Sequence, residues 1–128
     1  MSSSGVLSLE SGDSKTYRMS LFRKDPLTGK EDTTQPIPLT GNRVQFFVFG
    51  EGDEDFGETG VTPIITKDSN NGASEIQILP APNDHQALIK LLPADTAITE
   101  GDYHAKCIVT ITSSGAIHTV FKSILCVS

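Results

Sequence analysis

The stretch Tyr103-His104-Ala105-Lys106-Cys107-Ile108-Val109-Thr110-Ile111, then Thr112-Ser113-Ser114-Gly115-Ala116, then Ile117-His118-Thr119-Val120-Phe121-Lys122-Ser123-Ile124-Leu125-Cys126-Val127, decides the fold class. Successive side chains on a strand point to opposite faces, so a half-buried strand carries apolar residues at every second position. Tyr103, Ala105, Cys107, Val109 and Ile111 share one parity, and Ile117, Thr119, Phe121, Leu125 and Val127 continue it after the turn. A three-residue loop of Ser113, Ser114 and Gly115, with Gly115 in left-handed backbone, pairs Ile111 with Ile117 and Cys107 with Phe121. A two-residue loop would set Lys122 opposite Cys107 and spoil the apolar face. The segment is therefore expected to be a β-hairpin, with His104 opposite Ile124 and His118 opposite Thr110.

The same periodicity recurs upstream. Leu7 and Leu9 alternate in a first strand over Val6 to Glu10, and Gly12-Asp13 turns the chain into a second over Lys15 to Arg23, where Tyr17, Met19 and Leu21 share a face. Prolines 26, 36 and 38 make Lys24 to Leu39 a connecting loop with at most an edge segment. In Arg43 to Phe49, Val44, Phe46 and Val48 alternate with Gln45, Phe47 and Phe49; apolar residues on both faces demand a central strand or a partner on the second face. Val61 to Thr66, interrupted by Pro63, reads as an edge strand. Asp68-Ser69-Asn70-Asn71-Gly72 is a tight turn, and Glu75 to Leu79 and Gln86 to Leu92 are strands. Pro93-Ala94-Asp95-Thr96 has the proline and the acid of one helical turn. With seven or more short strands and turns at that spacing, the expected fold is all-β: a single domain, residues 1–128, built as a two-sheet immunoglobulin-like β-sandwich.

Composition narrows function without naming it. The 128 residues suit one core, and sixteen acids against ten bases leave a net charge of −6 with no Lys/Arg cluster, which argues against nucleic acid or an anionic membrane as partner. The opening Met1-Ser2-Ser3-Ser4 has neither the charged start nor the apolar stretch of a signal peptide, so the chain reads as soluble and unexported. Two cysteines cannot make a disulfide scaffold, and Cys107 and Cys126 are expected to be free thiols because the hairpin register holds them roughly 17 Å apart along the strands.

Few side chains are arranged for chemistry. Glu51, Asp53, Asp55 and Glu58 resemble a calcium loop in charge, but Phe56 stands where the EF-hand needs glycine and Thr62 where it needs a bidentate Glu, so Glu51 to Gly60 reads as a solvated acidic loop. His85, His104 and His118 share no apex, and no Ser or Cys stands in a nucleophile pattern. No enzyme activity, catalytic residue, cofactor, metal or small-molecule ligand is expected. Glu100-Gly101-Asp102-Tyr103 has the layout of a tyrosine corner, a hydroxyl bonding back to the turn before its strand.

Several short features together resemble one family: Leu7-Ser8-Leu9 with Gly12-Asp13, Pro38-Leu39-Thr40-Gly41 before Val44, Leu92-Pro93-Ala94-Asp95-Thr96, and Glu100-Gly101-Asp102-Tyr103 before the final hairpin. In that layout the chain resembles the immunoglobulin-like domains of tailed-phage virion proteins, above all the N-terminal domain of baseplate upper proteins. The acidic loop from Glu51 to Gly60 departs from that pattern like an insertion. The resemblance implies a structural component of a phage or prophage virion (baseplate, tail, neck or decoration), assembled in the bacterial host cytoplasm. Its partners would be other virion proteins and further copies of itself.

The expected interaction surface is the second face of the sheet, with Phe47 and Phe49 from one strand and Val120 and Ile124, beside Cys126, from the final hairpin. A carbohydrate-binding or adhesion module, using loops at one end, is the alternative; the absence of tryptophan and the inward parity of both tyrosines speak against it. A sandwich-type protease inhibitor is a third, without a recognisable binding loop.

Overall fold

The computed structural model describes residues 6–52, 56 and 60–128. Ten strands and one helical turn follow each other as β1 (Val6–Leu9), β2 (Lys15–Ser20), β3 (Phe22–Lys24), β4 (Glu31–Pro36), β5 (Arg43–Phe49), β6 (Ile65–Asp68), β7 (Ile76–Ile78), β8 (Gln86–Leu91), α1 (Pro93–Thr96), β9 (Gly101–Thr110) and β10 (Ile117–Val127). The chain is all-β. A five-stranded sheet has the order β1-β10-β9-β5-β6, a three-stranded sheet the order β2-β8-β7, and β3 pairs with β4 in a ribbon of its own. Every pairing is antiparallel except β1 with β10.

The two larger sheets share one core. Val44, Phe46, Val48, Ala105, Cys107, Val109 and Leu125 come from the five-stranded sheet and Met19, Ile76, Ala87, Ile89 and Leu91 from the three-stranded one. Phe46 is fully buried, and its ring lies 6.2 Å from Phe121 in its own sheet and 6.3 Å from Tyr17 in the other. β5 lies between β9 and β6, the central position its two apolar faces require.

The final hairpin follows the expected register only in part. Cys107 pairs with Phe121 and His104 with Ile124, but nearer the tip Ile117 pairs with Thr110 and His118 with Val109, not with Ile111 and Thr110 as the three-residue loop required. The loop is longer: Ile111 N–H donates to Ala116 O at 2.8 Å, Gly115 N–H donates to Ile111 O at 2.7 Å, and Gly115 takes the expected left-handed backbone at φ 74°. One residue of slip would turn every later side chain of β10 to the wrong face. A bulge between Thr119 and Phe121 absorbs the slip, and Val120, the extra residue, packs with Phe121 against the core.

Other boundaries moved for local reasons. The expected strand over Lys15 to Arg23 divides at buried Leu21 into β2 and β3, and part of the expected loop becomes β4, whose last residue is Pro36. Pro63 delays the edge strand, which runs over Ile65–Asp68 instead of Val61 to Thr66. The turn after it is a 3-10 turn capped by Asp68, whose carboxylate accepts Asn70 N–H at 2.9 Å. Arg43 Nε donates to that carboxylate at 3.0 and 3.1 Å and Arg43 Nη2 also pairs with it, holding Asp68 below the ordinary carboxylate pKa.

α1 forms where Pro93 and Asp95 place it. Asp95 accepts Leu92 N–H at 2.7 Å and receives the Lys67 ammonium at 2.7 Å. Lys67 projects from β6 and its side chain is 7% exposed, so a nearly dehydrated charge ties the five-stranded sheet to the segment that follows β8. Thr96 donates to Asp13 O at 2.6 Å and anchors the same segment to the turn before β2.

Tyr103 behaves as its position suggests: the ring is buried and the hydroxyl donates to Thr99 O at 2.7 Å. Tyr103→Phe keeps the ring packing and leaves a carbonyl without its donor, so it should lower stability by about 1 kcal/mol with unchanged circular dichroism. Urea titration of both forms checks this, and an unchanged midpoint would remove the hydroxyl from the account.

Candidate interaction surface

The outward face of the five-stranded sheet is built from alternate positions, in cross-strand rows. Phe49, His104 and Ile124 form one row across β5, β9 and β10, and Phe47, Lys106 and Lys122 form the next. The rings of Phe47 and Phe49 lie 6.1 Å apart. Phe49 is only 5% exposed, while Phe47 and Ile124 are half-buried and remain open to solvent. Val120 does not join them, because the bulge packs it against the core. Of the four residues expected on this surface, the structure thus brings Phe47, Phe49 and Ile124 onto one face and places Val120 elsewhere.

Part of this face is covered by the chain itself. Phe56, in left-handed backbone at φ 56°, sets its ring edge-on to His104 at 5.2 Å, with Lys122 Nζ 5.4 Å from the ring centre. His104 is 7% exposed, and its Nδ1 lies 3.2 Å from Gly50 O; a carbonyl only accepts, so the tautomer protonated at Nδ1 makes this bond. The sequence signal for Phe56 was its position as the one aromatic residue in the acidic loop. Of the carboxylates considered for calcium, Glu51 is exposed, and Asp53, Asp55 and Glu58 lie outside the described residues.

The histidines are dispersed. His85 stacks 5.2 Å from Phe22, and its buried Nδ1 has no hydrogen-bond partner among the described residues; His118 is exposed on β10. Among the described residues no three His, Cys, Asp or Glu side chains are grouped so as to hold a metal ion. No helix of the described residues is long and apolar enough to cross a membrane.

Two clefts flank the hairpin tip. One of about 580 Å³ is lined by Asn42, Arg43, Ser69, Asn70, Thr110 and Thr112 among others, but several of these groups are committed internally: Arg43 to Asp68, Asn42 Oδ1 to Thr112 N–H at 3.1 Å, and Ser69 Oγ to Val44 N–H at 2.9 Å. The other, about 380 Å³, opens between the end of β2, the β3–β4 ribbon and the first residues of β10.

Both cysteines are free thiols. Cys107 is fully buried beside Phe46 and Phe121, and burial drives its pKa far up. Cys126 is half-buried opposite Asp102 on β9, and a hydrogen bond to that carboxylate holds its pKa above the ordinary thiol value.

No protein-family model and no curated protein matches the chain.

The Cys126 pair gives a signed expectation. Asp102→Asn removes the carboxylate that disfavours the thiolate, so alkylation of Cys126 in the native protein should quicken near pH 8, while Cys107 stays unmodified until urea is added. Time-resolved intact mass after iodoacetamide addition measures both. Equal rates in the two proteins would mean that Asp102 does not govern the thiol.

Proposed function

We propose that the chain is an immunoglobulin-like β-sandwich domain serving as a non-enzymatic structural component of a phage or prophage virion, acting through contacts with other virion proteins and with further copies of itself. The observation that carries the fold half of this reading is the strand order. Taking β2-β8-β7 as strands B-E-D and β10-β9-β5-β6 as strands G-F-C-C′, with β1 parallel to β10 at the edge, the order supports a variable-type immunoglobulin arrangement. The Tyr103 hydroxyl on Thr99 O occupies the tyrosine-corner position at the start of strand F. Phe46 stands on strand C, where antibody domains carry a buried tryptophan, and packs against Cys107 without a disulfide.

The virion half rests on the sequence resemblance, whose motifs run from Leu7 to Tyr103 and the final hairpin. It is supported by what the surface offers: dispersed histidines, an acidic chain, and half-buried apolar side chains at Phe47 and Ile124. A domain so equipped would act through its contacts. Assembly in the bacterial host cytoplasm follows from the same reading.

A carbohydrate-binding or adhesion module is the second reading, favoured by the polar cleft at the loop end lined by Asn42, Ser69, Asn70 and Thr112. Density-purified phage particles from an induced lysate decide between them. The chain should be found in the particles by mass spectrometry at a constant ratio to tail or head proteins. Its absence from particles, with saturable binding to a glycan array, would favour the second reading.

A further inference from the structure

The β3–β4 ribbon is a sheet of its own, tied to the rest next to its base, where Leu21 N–H donates to His85 O at 2.9 Å and Ile37 N–H to Leu21 O at 2.9 Å. It pairs with neither larger sheet, and a two-stranded ribbon on its own is marginal in water. Its tip is nevertheless well made. Asp25 Oδ1 accepts Leu27 N–H at 2.8 Å, Asp25 O accepts Gly29 N–H at 2.8 Å, Asp25 N–H donates to Lys30 O at 2.8 Å, and Gly29 supplies the left-handed backbone at φ 71°. This turn presents Leu27 to solvent at 93% exposure, the highest of the exposed large apolar side chains.

Along the same ribbon runs the 380 Å³ cleft, with Leu21, Phe22, Ile37, Ile117 and Val120 as its apolar lining and Arg23, Lys24 and Glu31 as its charged lining. One molecule therefore carries an apolar knob on the turn and an apolar hole beside the strands that lead into it. Leu27 is almost wholly exposed, so the knob does not fill the hole of its own ribbon. Two ribbons lying antiparallel about a two-fold axis bring each knob to the other's hole, an isologous contact in which each patch serves twice.

Charge favours the same arrangement. The chain carries −6, but residues 22–36 hold Arg23, Lys24 and Lys30 against Asp25, Glu31 and Asp32 and are neutral. Two copies meet there without the repulsion that opposes contact elsewhere, and the antiparallel arrangement turns Asp25, beside the knob, toward a partner cleft whose two cations, Arg23 and Lys24, outnumber its one carboxylate, Glu31.

We propose that the β3–β4 ribbon is a clasp between two copies of this chain, with Leu27 of each seated in the cleft formed by Leu21, Phe22, Ile37 and Val120 of the other. The proposal rests on the reading that the domain works by self-assembly, and it names the contact. It places that contact on the ribbon, away from the sheet face that bears Phe47 and Ile124.

Sedimentation equilibrium on the full chain tests it with three proteins: the unaltered chain, Leu27→Asp and Phe47→Asp. Both substituted side chains have solvent access, Leu27 almost completely, and circular dichroism verifies folding. The unaltered chain should form dimers, Leu27→Asp should weaken them at least about a hundredfold, since the two-fold contact loses two buried leucines, each worth at least about tenfold, and Phe47→Asp should leave them unchanged. Dimers that survive Leu27→Asp but not Phe47→Asp would overturn the clasp and keep self-assembly, moving it to the sheet face. Dimers that survive both would overturn the clasp as well. A chain that stays monomeric at millimolar concentration would overturn the clasp and self-assembly together.

Discussion

Phe46, Cys107 and Phe121 stand side by side across β5, β9 and β10, and the rest of the molecule is arranged so that this row can meet Tyr17 of the opposite sheet. Each of the three could fill its place only if its strand presents the right parity. β5 and β9 do so by simple alternation. β10 does so because Val120 is inserted as a bulge, which corrects the slip introduced by the turn. If Val120 paired in a regular ladder instead of bulging, Phe121, Leu125 and Val127 would turn outward and Lys122 would turn in. A side chain of phenylalanine size gains about 2 to 3 kcal/mol on burial, so the row alone is comparable with a sizeable part of a small domain's net stability.

The links outside the core hold the two sheets in fixed relation. The Lys67 and Asp95 pair joins β6 to α1, Thr96 joins α1 to the turn before β2, and Tyr17 donates to Ser8 O at 2.8 Å, with burial pushing its phenol up to about 12 and keeping it protonated as a donor. The Tyr17 link joins β2 of one sheet directly to β1 of the other, while the Lys67 and Thr96 links tether α1 to β6 and to the turn between β1 and β2. The polar groups of these links are engaged in positioning.

Much of the fold was legible in the sequence because one physical rule, alternation on a strand with one buried face, covers most of it. Tyr17, Met19 and Leu21, and Val44, Phe46 and Val48, were placed on the core side by parity alone, and all six lie against the shared core. The bulge was not legible, since a bulge leaves no composition signal and Val120 suits either face equally. The β3–β4 ribbon was hidden for a related reason: Glu31 to Gln35 has no apolar alternation, being a strand exposed along most of its length. The surface was harder still. Parity set Phe47, Phe49 and Ile124 on one face but could not foresee that Phe56 would settle on His104 beside them. Leu27 could not be singled out by pattern, because its exposure follows from the turn held by Asp25.

The account depends most directly on the broken register of the final hairpin, which nuclear Overhauser contacts between the two strands measure residue by residue. Cross-strand contacts should link Phe121 with Cys107 and Leu125 with Tyr103, and then step by one residue beyond Val120 to link Ile117 with Thr110, with the Phe46 ring in contact with both Phe121 and Tyr17. A single unbroken register that pairs Ile117 with Ile111, or a Phe46 ring without contact to Tyr17, would contradict it.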